Sequence, residues 1–280
     1  ILFLDANAHI EVSNMEYHLA MIAARTHRVN EANAYYEAAS VSARKSGDWR
    51  AVAYSEYRLA NSLLFISAKD GEIDKTAEII EHVNTALAAF DNAERLSPSD
   101  WGHLAECHLL LGRIADLDPT TRDRAQSEYE RALQIATVQQ FDDVEMSARS
   151  KLAGMAKLAN RIDDAEAHYR RILEIAEPDD EELVPSAIEM ANIAFVRDRD
   201  IERALDQMDA VKDSLGQIED THRRPYTTLY YLYTRANMLL ESDRDMESVL
   251  EAANELLQFG TEVESKLVTD LAHQALSEGY

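Results

Sequence analysis

Two stretches decide how this chain folds: residues 111–132, LGRIADLDPTTRDRAQSEYERA, and residues 152–172, LAGMAKLANRIDDAEAHYRRI. Each begins with a Leu followed by a small residue, Leu111-Gly112 and Leu152-Ala153. About twelve residues on comes an Ala, at Ala125 and Ala165, then an aromatic four further, Tyr129 and Tyr169. A closing residue follows three later, Ala132 and Ile172. The pattern also runs backwards along the chain. Leu59-Ala60, Ala86, Phe90 and Ala93 form one copy, with extra residues between the halves, and Leu19-Ala20, Ala32, Tyr36 and Ala39 form another. Forwards it weakens to Ala191-Asn192, Ala204, Met208 and Val211, then to Ala236, Ser248, Ala252 and Glu255.

The second-half landmark thus falls at Ala32, Ala86, Ala125, Ala165, Ala204 and Ser248, at intervals of 54, 39, 40, 39 and 44 residues. A period in this range is the mark of a repeat array. The physical reading is a stack of two-helix hairpins: small residues let backbones cross closely, an aromatic fills the gap between units, and each hairpin buries its neighbour's apolar face. Composition agrees. With 280 residues, the chain exceeds what one compact core accommodates. Its 8 Gly and 5 Pro leave little punctuation, and Ala, Leu, Glu and Arg favour helix throughout. The expected fold is all-α, a right-handed superhelical solenoid of about six antiparallel hairpins. The hairpins span 14–47, 48–98, 99–138, 141–178, 181–216 and 222–258, with a capping helix over 261–278, in a single repeat domain over 1–280.

These landmarks resemble the tetratricopeptide signature, with small residues at repeat positions eight, twenty and twenty-seven and an aromatic at twenty-four. The closing Pro of that signature occurs in register at Pro98 and one residue late at Pro178. Its usual Trp at position four is replaced by Glu16, Glu56, His108 and Arg149. A period near 40 resembles the longer-helix members found in bacterial peptide-sensing regulators and in the sensor domains of large ATP-dependent transcription activators. The resemblance covers roughly residues 16–257 and implies a fold more than a function.

Breaks are expected at Gly47-Asp48, Ser97-Pro98-Ser99-Asp100, Leu117-Asp118-Pro119-Thr120 and Glu177-Pro178-Asp179-Asp180, with Ser99 or Asp100 capping a helix that starts at Trp101. The extra residues of the second repeat, around Ser67–Glu72, read as a longer turn and an extended following helix.

The charge is −24, from 52 acidic against 28 basic residues. That repels polyanions, so neither nucleic acid nor an anionic membrane is an expected direct partner. No stretch reaches the ~20 apolar residues of a membrane span. Cys107 is the single cysteine, which excludes an intrachain disulfide and fits a reducing, cytoplasmic setting. The chain begins Ile1-Leu2-Phe3 without Met, which points to a fragment of a longer protein carrying an attached effector domain.

Chemistry-bearing motifs are scarce. There is no Gly-rich phosphate loop and no GxSxG elbow. His103, Cys107 and His108 are dense, but on a helix His108 points away from the other two, and zinc needs further ligands. Neither a cofactor nor catalysis is expected.

Binding is. The first helix of each hairpin lines the concave face of such arrays, and its inward positions recur at three- and four-residue spacing. That register offers Tyr54, Tyr57, Asn61 and Phe65 from the second hairpin, Leu109, Arg113 and Asp116 from the third, Lys151 and Lys157 from the fourth, and Tyr230, Tyr233 and Asn237 from the sixth. Of these, Tyr54, Tyr57, Asn61, Arg113, Lys157, Tyr230, Tyr233 and Asn237 are the candidate partner-binding residues. A carboxamide both donates to and accepts from an extended peptide backbone, and tyrosine is an anchor that orders cheaply. The Lys and Asn set with which related domains grip acidic chaperone tails is incomplete, since Tyr17 and Met21 occupy its first-hairpin positions. The expected function is a protein- or peptide-binding scaffold. The alternative is a ligand-sensing regulatory domain whose bound peptide or metabolite changes the superhelical pitch; a self-assembling array is a third class.

Overall fold

Wherever an alanine landmark falls in the first five repeats it lies on a helix and has no accessible surface: Ala32, Ala86, Ala125, Ala165 and Ala204 are all 0% exposed. The computed structural model describes residues 2–70, 75–217, 223–241 and 246–262. Among these there are twelve α-helices and no strand: α1 (Leu2–Arg25), α2 (Val29–Ser46), α3 (Trp49–Asp70), α4 (Thr76–Asn92), α5 (Pro98–Ala115), α6 (Arg122–Gln139), α7 (Asp142–Leu158), α8 (Ile162–Ile175), α9 (Leu183–Val196), α10 (Ile201–Asp209), α11 (Arg223–Leu240) and α12 (Met246–Glu262).

The chain divides into two compact units, Ile1–Ala148 and Arg149–Tyr280. In the first, α1 packs on α2, α3 on α4 and α5 on α6, and α2 and α4 also meet the next hairpin's first helix. The first helices α1, α3 and α5 touch in sequence, so they form one layer. Its core runs from Ala20 and Tyr36 through Leu59, Val83 and Phe90 to Leu111 and Ile114. In the second unit, α9 pairs with α10 and α11 with α12, while α9 touches α11. Val184, Ile188, Leu205, Met208, Tyr231 and Leu239 make its core.

The repeat aromatics pack within their own hairpin. Tyr36 meets Tyr17 edge-on at 5.7 Å and Phe90 meets Tyr54 at 6.1 Å. Tyr129 lies directly over Gly112, whose missing side chain makes room for the ring. The sequence reading put these aromatics between hairpins; their contacts with the first helix of the same hairpin are the added finding. In the third hairpin the small residue is small because the aromatic stands on it.

Helix ends follow local chemistry. Gly47 closes α2 at φ 76°, its N–H reaching back to Ala43 and Arg44. At the next boundary the expectation is corrected: the helix starts at Pro98, not Trp101, and its cap is Ser97. The Asp100 N–H donates to Ser97 Oγ (3.3 Å), and the Ser97 N–H donates to Asp100 Oδ2 (2.5 Å). Proline suits the first helical position because the N–H it lacks would be unpaired there anyway. Asp118 accepts from the Thr120 N–H in a 3-10 turn, and Asp200 caps α10 through the Arg203 N–H. Gly260, which falls between the expected sixth hairpin (222–258) and the expected capping helix (261–278), is buried inside α12, which continues to Glu262. Of the longer turn expected around Ser67–Glu72, the part up to Asp70 continues α3 instead, and the rest, like the capping helix expected over 261–278 beyond Glu262, lies outside the described residues.

The tetratricopeptide position that usually carries Trp holds polar pairs instead. Glu16 accepts from Ser42 (2.8 Å), and His108 donates to Glu128 (2.7 Å). Glu56, 6% exposed, accepts from Ser40 (2.5 Å), Arg44 (2.7 Å) and His82 (2.6 Å), which ties α2, α3 and α4 together.

Candidate functional site

The residue just after the small first-helix landmark is an asparagine in three of the repeats. Asn61 follows Ala60, Asn192 follows Ala191 and Asn237 follows Ala236; each small residue is buried and each Asn half-buried. Gly112 is followed in the same register by Arg113, which is exposed.

In the first unit these positions open onto a cleft of about 500 Å³ whose wall includes Arg58, Asn61, Phe65 and Arg113. Asn61 and Arg113, singled out from sequence, are therefore brought together. Tyr57 stands behind them: it is 6% exposed, its ring packs edge-on to His103 at 5.7 Å, and the Arg58 guanidinium sits 5.6 Å above it. Burial pushes its phenol up, with Glu106 adding to the effect, so it stays protonated. Tyr54 is half-buried and committed to structure. Its hydroxyl donates to Asp100 Oδ1 (2.5 Å) and lies 3.1 Å from Ser99 Oγ, while its ring tilts against His103 at 4.5 Å. Phe65 is 65% exposed on the cleft wall.

In the second unit Lys157 and Tyr230 meet at a residue the sequence reading missed. Lys157 Nζ pairs with Glu189, and the Tyr230 hydroxyl donates to the other oxygen of that carboxylate (3.0 Å). The Asn192 amide donates to Tyr230 Oη (3.1 Å). Burial first, and then Glu189, push the Tyr230 phenol above its ordinary value, so it remains a donor. Tyr230 and Tyr233 are each 39% exposed, and Asn237 is half-buried one turn beyond Tyr233. Asn192 was legible: it repeats the small-residue-then-Asn pair of 60–61 and 236–237. Glu189 and Arg58 carry no such signal.

The dense ligand-type cluster is dispersed by its partners. The His103 Nδ1–H donates to the Ser99 carbonyl (2.8 Å), His108 faces Glu128, and Cys107 is fully buried. Among the described residues no group of three His, Cys, Asp or Glu side chains could hold a metal ion, and no helix is long and apolar enough to cross a membrane.

No family model matches the sequence, and no curated protein matches it. Solved structures do. The apo form of RapI superposes with a TM-score of 0.63 at 12% identity, covering 95% of this chain and 74% of that one. The apo form of the quorum sensor NprR from B. thuringiensis gives 0.55 at 16% identity, covering 95% and 75%. At such identities the likeness is one of architecture: the chain has a tetratricopeptide-like all-helical fold.

Proposed function

We propose that this chain works by binding, and that an extended peptide or a partner's segment lies along its first-helix layers. The observation that carries this reading is the recurrence of a half-buried Asn one residue after a buried Ala, at Asn61, Asn192 and Asn237. A carboxamide so placed pairs with both the N–H and the C=O of an extended backbone, contributing about 0.5–1.5 kcal/mol net per bond. Tyr233 and Phe65 supply exposed ring surface alongside. Tyr54, Tyr57, Lys157 and Tyr230 are engaged by neighbouring side chains within the fold, and Arg113 lines the first cleft. A net charge of −24 disfavours polyanions as partners.

A second reading, favoured by the likeness to a quorum sensor, is that the bound peptide acts as a signal and the chain as a regulatory sensor joined to an effector. The test of binding is retention of pooled random hexapeptides by the intact chain in equilibrium dialysis. Asn61→Ala and Asn237→Ala should each weaken retention about 2–10-fold with helicity unchanged by circular dichroism. Retention unaltered in both variants removes the Asn register from the site. A retained peptide that changes the small-angle scattering profile supports the sensing reading; an unchanged profile favours a scaffold.

A further inference from the structure

Helix α1 leaves open a face that the later first helices of its unit have covered. On α3, Val52, Ser55 and Leu59 are buried, and the adjoining Glu56 accepts hydrogen bonds from Ser40 and Arg44 of α2, the helix before it. On α5, Cys107, Leu111 and Ile114 are buried in the same register, and α4 is the preceding helix packed on it. Counted from the small landmark, the matching residues of α1 are Val12, Met15, Leu19 and Ile22. All four are apolar and 40–63% exposed, and no helix precedes α1 among the described residues. Ser13, Ala20 and Ala23 are buried on the side toward α2, where Ser13 Oγ donates to the Ala39 carbonyl (3.0 Å). An unbroken row of large exposed apolar side chains marks a contact surface. Because the same positions receive a helix in the next two hairpins, the row has the shape to receive one as well.

We propose that the helix seated on this row is α1 of a second copy of the chain, laid antiparallel. The row advances by three, four and three residues, the spacing of a helix–helix seam. Beside it Glu11, His18 and Arg25 recur every seven residues, all exposed. Turning the second helix end for end about His18 sets Glu11 of each copy opposite Arg25 of the other. The same turn brings Val12 against Ile22 and Met15 against Leu19. A parallel pairing would put each charge level with its own duplicate and form neither ion pair; flanking charges of this kind set the orientation of paired helices. The twofold axis makes the contact isologous, so it closes at two copies and does not grow into a filament. Only four apolar side chains from each copy engage, over about 15 Å of helix, which makes this a weak, concentration-dependent association.

The test is light scattering by the intact chain over a dilution series, at about 0.15 M salt, where repulsion between two copies of charge −24 is largely screened. The mass should climb from 31.6 kDa toward twice that value as concentration rises. Leu19→Glu, at an exposed position, should hold it at 31.6 kDa with helicity unchanged by circular dichroism. Glu11→Arg and Arg25→Glu should each weaken association about 3–10-fold, and combining the two in one chain should restore it. A mass of 31.6 kDa at every concentration overturns the proposal and leaves the row to a helix of another protein. A dimer indifferent to Leu19→Glu overturns it by putting the contact elsewhere. A dimer lost in Leu19→Glu but not rescued by the double charge exchange overturns the antiparallel arrangement.

Discussion

Gly112 and Tyr129 touch so closely that a Cβ at position 112 would lie 2.5 Å from the tyrosine ring carbons Cδ1 and Cε1. Tyr129 is fully buried, so the ring has nowhere to retreat. Gly112→Ala gains helix propensity, about 1 kcal/mol, but overpacking of this kind costs about 1–3 kcal/mol and should prevail. The variant should unfold at lower urea than the parent. Gly154→Ala is the control, since a Cβ there meets nothing within 4 Å and the propensity gain should stand alone. Equal midpoints for the two variants contradict the contact.

The Glu56–His82 pair should give the first unit a stability optimum in mild acid. The hydrogen bond to Glu56 lifts His82 above its ordinary 6.5. Burial works to raise Glu56, but the bonds from His82, Ser40 and Arg44 outweigh it and hold the carboxyl below its ordinary 4.5. A raised histidine contributes fully below about 6.5, and its contribution is lost as pH climbs through the folded value. A lowered carboxyl contributes above about 4.5 and is lost as pH falls through its folded value. Denaturation at a series of pH values should therefore show stability falling on the alkaline side of 6.5, and His82→Asn should flatten that limb.

Tyr230→Phe deletes the hydroxyl that links Glu189 to Asn192. Because the ring is 39% exposed, water replaces part of what is lost. The expected destabilisation is about 0.5–1 kcal/mol, read from the unfolding midpoint, with little change in helicity. A loss several times larger would mean that the network supports the core itself.

Cys107 is fully buried, and burial raises its thiol far above the usual range. Thiol reagents act on the exposed thiolate, so native protein should label only as fast as the first unit opens. Labelling should be immediate in denaturant. Rapid labelling of the folded chain would show that the α5 region opens locally.

The hairpins were legible because the contact that builds them needs specific sizes at fixed spacing. Ala125 and Tyr129 recur as Ala165 and Tyr169, and each pair is buried as that spacing requires. The start of α5 was read three residues late, because Ser97, Ser99 and Asp100 are all able caps and only the fold chooses among them. The polar pairs that stand in for the usual Trp were invisible for a different reason. Glu56 and His82 are 26 residues apart, and nothing in a sequence period reports a bond between two side chains that occurs once. At the site, Asn61 and Arg113 followed from register, whereas Arg58 and Glu189 became visible only through the cation over Tyr57 and the carboxylate shared by Lys157 and Tyr230.

The hydroxyl of Tyr54 reaches across to Asp100, the acid that closes the first turn of α5. The starting point of the third hairpin is thus finished by a side chain belonging to the second. The tether couples the two hairpins, because the first turn of α5 is completed by a group that α5 does not itself carry. Cutting the tether with Tyr54→Phe would leave both helices chemically able to form while removing the cue that sets one against the other.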